Sequence, residues 1–210
     1  MVGQRSRSNS EEIMQEVMEE EATDGLPQFL DLEASSLRFG VSYPTEVAWS
    51  DEAGHIYSYL IKPDPRWTDW SRSAEAITGL SREQLFREGH PVHLVATTMN
   101  HQLAGRVLYC DGGAHDAFWL RRLFEAAGTP CRFLLEDISR MVPSTVMGWP
   151  DWPAHLQGLI RDSRLAAGQA HRAAPDVAYL RELYRRVRES LEQMTDPTLT
   201  SYSPRRAQLR

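Results

Sequence analysis

Four carboxylates and one histidine, in three short segments, have the types and spacing to do chemistry together. In "FLDLEAS", residues 29 to 35, side chains alternate across a strand, so Phe29, Asp31 and Glu33 share one face and Leu30, Leu32 and Ala34 the other. A strand this rich in Leu and Phe belongs at the centre of a sheet. Paired acids are costly there unless a cation or protons compensate them. In "HDAFWLRRLFEAAG", residues 115 to 128, Asp116 opens a helix, and Trp119, Leu120 and Leu123 at offsets of three, four and seven place it on the apolar stripe. Taken alone, an N-cap role is the better explanation of such an aspartate, and the two roles are compatible, since a helix N-terminus favours the ionised form. In "HRAAPD", residues 171 to 176, Pro175 suits a first helical turn. Asp176 then starts a helix whose core stripe runs through Leu180, Leu183 and Val187, and His171 precedes it on a loop. Taken singly, these are a wet strand face, a cap and a solvated histidine. Taken together, they match one demand. In-line hydrolysis of a phosphodiester calls for two divalent ions about 3.5 to 4 Å apart, which choose carboxylate ligands. A histidine near neutral at pH 7 can serve as general base. Asp111, at the end of the strand before Asp116, reads as a turn residue.

The elements that must position these groups are a mixed set. "QFLDLEAS" reads as a strand, "TEVAWSDEAGHIYSYLIKP" as two strands joined by a turn at Glu52 to Gly54, and "RVLYCD" and "CRFLLEDI" as two more. Helices are expected at "SREQLFREG", at "PVHLVATTMNHQLAG" and at "DAFWLRRLFEAAG", each closing on a glycine. Two others are expected at "PDWPAHLQGLIRDSRL" and from about Pro175 onward. A hairpin followed by strands alternating with helices gives an α/β fold with a mixed sheet of about five strands flanked by α-helices. Residues 26–195 form the expected folded domain. Residues 1–25, acid-rich and poor in apolar groups, and residues 196–210, with two prolines and no periodicity, read as tails.

Bulk composition bounds the reading. The 210 residues, 41% of them apolar, suit one soluble domain with tails. No apolar run reaches a membrane span, and no basic-then-apolar start suggests secretion, so no membrane partner and a cytoplasmic location are expected. The net charge of −6 argues against a protein that coats long nucleic acid, although metal-holding carboxylates would themselves contribute negative charge. Cys110 and Cys131 adjoin apolar stretches without metal-ligand spacing and read as buried, reduced thiols.

"FLDLEAS", "GAHDAFWLRRL" and "HRAAPD", in this order, resemble the three exonuclease motifs of the DEDD superfamily, in its histidine-bearing DEDDh branch. That branch includes oligoribonuclease, RNase T and the proofreading epsilon subunit of DNA polymerase III. The resemblance covers about residues 26 to 192. It maps the first motif onto Asp31 and Glu33, the second-motif aspartate onto Asp116, and the third-motif histidine and aspartate onto His171 and Asp176. The tyrosine branch would need a tyrosine at position 172, which is Arg172. The resemblance implies a ribonuclease H-like fold and two magnesium or manganese ions on Asp31, Glu33, Asp116 and Asp176. It further implies release of nucleoside monophosphates from a 3′ end, and pairing of the chain as a homodimer. In many relatives Thr-Gly or Thr-Thr-Gly follows the glutamate and touches the terminal nucleotide. Here Ala34, Ser35 and Ser36 stand in that segment and are the expected substrate contacts, a departure that bears on the choice between RNA and DNA.

Single strands are held by stacked rings and a modest basic groove. Phe118 is the expected exposed ring beside the second motif, Trp119 lies on the core stripe, and Trp67 and Trp70 occupy a Pro-containing loop. Arg121, Arg122, Arg185, Arg186 and Arg188 point outward from their helices as ordinary charges or phosphate contacts. The favoured partner is thus short or single-stranded RNA or DNA. A catalytically inert module on the same fold and a polymerase-associated proofreading subunit are the alternatives.

Overall fold

Strand β1 (Gln28–Ala34) carries the alternation of "QFLDLEA" into the middle of a five-stranded sheet. The computed structural model describes residues 27–141, 151–168 and 170–195, so both tails lie outside the described residues. β2 (Pro44–Ser50) pairs antiparallel with β1 and with β3 (Ile56–Leu60), while β4 (Val107–Cys110) runs parallel to β1 and to β5 (Leu134–Asp137). The strand order is β3-β2-β1-β4-β5. The β2–β3 turn closes where the Gly54 N–H donates to the Asp51 carbonyl at 3.0 Å, with Gly54 at φ 88°, a conformation that favours glycine.

Six helices complete the described chain: α1 (Arg72–Thr78), α2 (Arg82–Glu88), α3 (Val92–Leu103), α4 (Ala114–Ala127), α5 (Trp152–Ala167) and α6 (Ala173–Thr195). The two faces of β1 separate as its alternation requires. Leu30 and Leu32 join Val47, Trp49, Met99, Leu120 and Leu123 in one core, against α3 and α4. Phe29 joins Ala48, Val177, Leu180, Leu183 and Val187 in the other, against α5 and α6. The sheet is therefore covered on both faces, and β1, with neighbours on both sides, has no free edge. None of the described helices is long and apolar enough to cross a membrane.

Several details depart from expectation. Residues 72–78 form a helix that periodicity does not signal. Its marks are a cap at each end, with Ser71 Oγ accepting from the Ala74 N–H and Gly79 closing it in the left-handed region. Helix α4 begins two residues before Asp116, with Gly113 as N-cap, so Asp116 is a first-turn residue and not the cap. Strand β5 occupies only Leu134–Asp137 of "CRFLLEDI", and the chain turns into a 3₁₀ segment at Ile138. Cys131 is exposed, contrary to the burial expected for it; Cys110 is buried, and both thiols are free.

Candidate metal centre

The site gathers where β1 and β4, parallel neighbours, reach their C-terminal ends, the edge at which open α/β sheets hold ligands. Alternation sends Asp31 and Glu33 to the α6 side of β1. The core stripe of α6 returns Asp176 to the same place. One oxygen from each of Asp31, Glu33 and Asp176 lies within 4.8 Å of the other two. Asp31 is 8% exposed, and its Oδ2 is buried with no hydrogen-bond partner. Asp176 Oδ2 accepts the His171 N–H at 2.9 Å, while Oδ1 pairs with the Arg164 guanidinium, which also lies 3.7 Å from Asp111 and stacks on the Tyr179 ring.

Asp116 reaches the cluster from the first turn of α4. It is buried, and its Oδ2 accepts the Gly112 N–H at 3.1 Å. A side chain at position 112 would collide with it: a Cβ there would stand 2.4 Å from Asp116 Oδ2. The close approach of backbone to carboxylate requires glycine. Asp116 is not one of the three residues that share the 4.8 Å group, but its charge acts on both Asp31 and Glu33.

The four acids strain one another. Burial first, then the charges of Asp116, Glu33 and Asp176, pushes the Asp31 carboxyl well above the usual carboxylate range. Burial first, then Asp176 and Glu46, raises Glu33 to about 8, with Arg172 opposing. Burial, helped by Asp111 and resisted by hydrogen bonds from Cys110 and Gly112, raises Asp116 to about 7. Asp111 itself, read from sequence as a turn residue, is raised by burial and by Asp176. An unbonded buried oxygen and mutually repelling hard oxygen donors are the conditions a divalent cation relieves, so these residues fit a magnesium- or manganese-type ion.

His171 is the sole described non-glycine residue at positive φ, 64°, and is exposed immediately before α6. The left-handed backbone is one that histidine tolerates better than branched residues do. The structure thus brings Asp31, Glu33 and Asp176 together, sets Asp116 within electrostatic reach, and joins the His171 backbone to Asp176.

The segment after Glu33 is folded inward. Ser35 Oγ and Ser36 Oγ donate to Asp69 Oδ2 at 2.9 and 2.6 Å, and Arg38 pairs with the same carboxylate. Both serine hydroxyls are buried, and Ala34 is half-buried. Beyond them the exposed Phe39 stacks on His115 at 4.2 Å and meets the half-buried Phe118 edge-on at 5.3 Å, with the Arg121 and Arg122 guanidinium groups over Phe118. Trp119 is core, its Nε1 donating to Ser42 Oγ, and Trp67 is core, stacked on Tyr43 at 5.1 Å. Arg185, Arg186 and Arg188 pair with glutamates of their own helix, as solvated charges do.

Sequence reasoning did not single out Glu46 or Arg164, and it used Arg172 only to weigh the third motif. Glu46 stands directly opposite Glu33 on β2 and is 3% exposed. The available signal was an acid inside the apolar run "TEVAW", the pattern of a buried carboxylate with a specific partner.

No family model matches the chain, and no curated protein matches it by sequence. Solved structures do match by shape. The zinc-bound form of the E. coli exonuclease I complex with single-stranded DNA superposes with a TM-score of 0.59 at 16% identity, covering 83% of this chain and 42% of that one. A product-bound exonuclease I gives 0.56 at 14% identity, over 78% of this chain and 43% of that chain. S. pombe Pop2p, in its Mg2+ and Mn2+ bound form, gives 0.55 at 11% identity, over 86% of this chain and 90% of that chain. This chain therefore spans less than half the length of exonuclease I and most of Pop2p. The five-stranded mixed sheet with its flanking helices is the ribonuclease H-like fold that this chain shares with these structures.

Proposed function

We propose that this protein is a metal-dependent 3′ to 5′ exonuclease of the DEDDh type, acting on short or single-stranded RNA or DNA. The observation that carries the proposal is the convergence of Asp31, Glu33 and Asp176 to within 4.8 Å, with the buried Asp31 Oδ2 left unbonded. That exonuclease I complexes contain single-stranded DNA and that a Pop2p structure contains Mg2+ and Mn2+ supports the choice of substrate and ion.

Asp31, Glu33 and Asp176 would hold the ions, with Asp116 beside them. Divalent cations bound there supply positive charge against the phosphate oxygens and acidify water. The chain's residues do the rest. Asp116, tied by Gly112 and Cys110, keeps its carboxylate fixed while Asp31 and Glu33 remain free to bind. His171, at the solvent margin of the cluster with its backbone fixed to Asp176, receives the proton of the attacking water as general base. Phe39, His115 and Phe118 form a surface on which an unpaired base can stack, with Arg121 and Arg122 toward the phosphates.

The test is an oligonucleotide labelled separately at its 3′ and 5′ ends, incubated with the protein in magnesium and in EDTA. Stepwise shortening of the 5′-labelled strand, with immediate release of the 3′ label as a mononucleotide and dependence on magnesium, is expected. Shortening from the 5′ end, or an intact strand at high protein concentration, would sink the reading.

A further inference from the structure

His171 holds a left-handed backbone conformation that side chains other than glycine rarely adopt, so the surrounding chain must hold it there. On one side its own N–H is bound by Asp176. On the other side the two residues that follow it are bound by a single buried carboxylate. Arg172 Nε donates to Glu46 Oε2 at 2.9 Å and Arg172 Nη2 to Glu46 Oε1 at 2.9 Å, a two-pronged pair that fixes orientation as well as distance. The Ala173 N–H donates to Glu46 Oε2 at 3.1 Å, so Glu46 also satisfies an amide at the start of α6, where a helix favours an anion. Ser58 Oγ completes the set with a bond to Oε1 at 3.2 Å. Glu46 is 3% exposed and cross-strand partner to Glu33 on the central strand. A rigid sheet position is thereby connected to the turn carrying His171.

We propose that Glu46 is a positioning residue for His171: through Arg172 and Ala173 it fixes the left-handed turn that carries the imidazole and whose N–H is bound by Asp176 of the acid cluster. The inference rests on the reading of His171 as general base. It predicts that breaking the tie slows the chemical step without weakening substrate binding. Small misplacements of a reacting group cost up to about a hundredfold in rate, so a fall in kcat of about 10- to 100-fold is expected.

The experiment uses the full chain with the nearly isosteric Glu46→Gln and, because a buried substitution can hinder folding, the separate Arg172→Lys on the half-buried partner. Four measurements are made on each: kcat and KM on a labelled single-stranded oligomer, magnesium affinity by calorimetry, amide hydrogen exchange, and kcat with His171→Ala added. Expected are a reduced kcat with KM unchanged, faster exchange at residues 171–173 with β1 unaltered, and, for Arg172→Lys, which keeps both charges beside Glu33, magnesium affinity unchanged. In the His171→Ala background, Glu46→Gln should have no additional effect, because two residues that act as a unit are not additive. Full kcat, or an equal loss with and without His171, overturns the proposal, the second result marking a purely structural role. Should the unaltered chain prove inactive, the proposed function falls. Exchange in EDTA would still decide the tether, and unchanged exchange at 171–173 would overturn it.

Discussion

Raising the pH should destabilise the metal-free protein, the reverse of the usual behaviour of a carboxylate paired with a cation. Folding raises Glu33 from 4.5 to about 8 and Asp116 from 3.8 to about 7, and it raises Asp31 as well. Between the unfolded and folded values the native chain holds protons that the unfolded chain has released, so stability falls as pH rises, by about 1.4 kcal/mol per pH unit for each retained proton. A proton on one acid relieves its neighbours, so the cluster titrates as a unit, and we take one net proton as the working number. The loss begins above the unfolded values, continues through the folded ones and ends above about pH 8. For a chain of this size about 1.4 kcal/mol corresponds to roughly 3 to 6 °C in Tm. Thermal melts in EDTA from about pH 5.5 to about 7.5 should therefore show a falling Tm, with a shallower slope for Glu33→Gln. Magnesium should flatten the slope, since ion binding takes the ionised acids and releases their protons. A Tm that is flat or rising in EDTA, or a slope identical in wild type and Glu33→Gln, refutes the reasoning.

Three further outcomes follow from individual contacts. Asp31→Asn should abolish turnover yet leave the metal-free protein no less stable at neutral pH, because a neutral amide replaces a carboxyl whose ionised form burial and its neighbours disfavour; activity assay and melt check both halves. Gly112→Ala should drive a methyl into the Asp116 carboxylate and, by turning it away, weaken magnesium affinity about 10- to 100-fold in calorimetry. Asp69→Ala should cost about 2 to 4 kcal/mol in urea unfolding by orphaning the buried Ser35 and Ser36 hydroxyls, and should raise KM more than it lowers kcat as residues 35–38 loosen.

Periodicity carried the sequence reading, and where it failed the missing information was three-dimensional. The two-residue repeat of "FLDLE" correctly separates Phe29, Asp31 and Glu33 from Leu30 and Leu32, since a strand offers only two faces. The stripes through Leu120 and Leu180 correctly turn Asp116 and Asp176 inward. Helix α1 escaped because it turns no large apolar side chain inward, Thr78 being buried and Ile77 exposed, which leaves only its caps to mark it. Glu46 escaped because its meaning depends on strand register, which sets it across from Glu33, and on an arginine 126 residues away. The serines at 35 and 36 could be placed near the site from their neighbours in sequence. That their hydroxyls turn to Asp69 depends on a loop fold that no local pattern encodes.

The acids that would bind metal come from the first strand and the last helix of the described chain, with most of the sheet threaded between them. During synthesis, Asp31 and Glu33 emerge early and wait. The cluster closes when α6 docks on β1, after β4 and α4 have been made. Such long-range closure is slow relative to local structure. Any chemistry of the cluster therefore waits on α6, and a nascent copy that lacks it holds an incomplete set of acids.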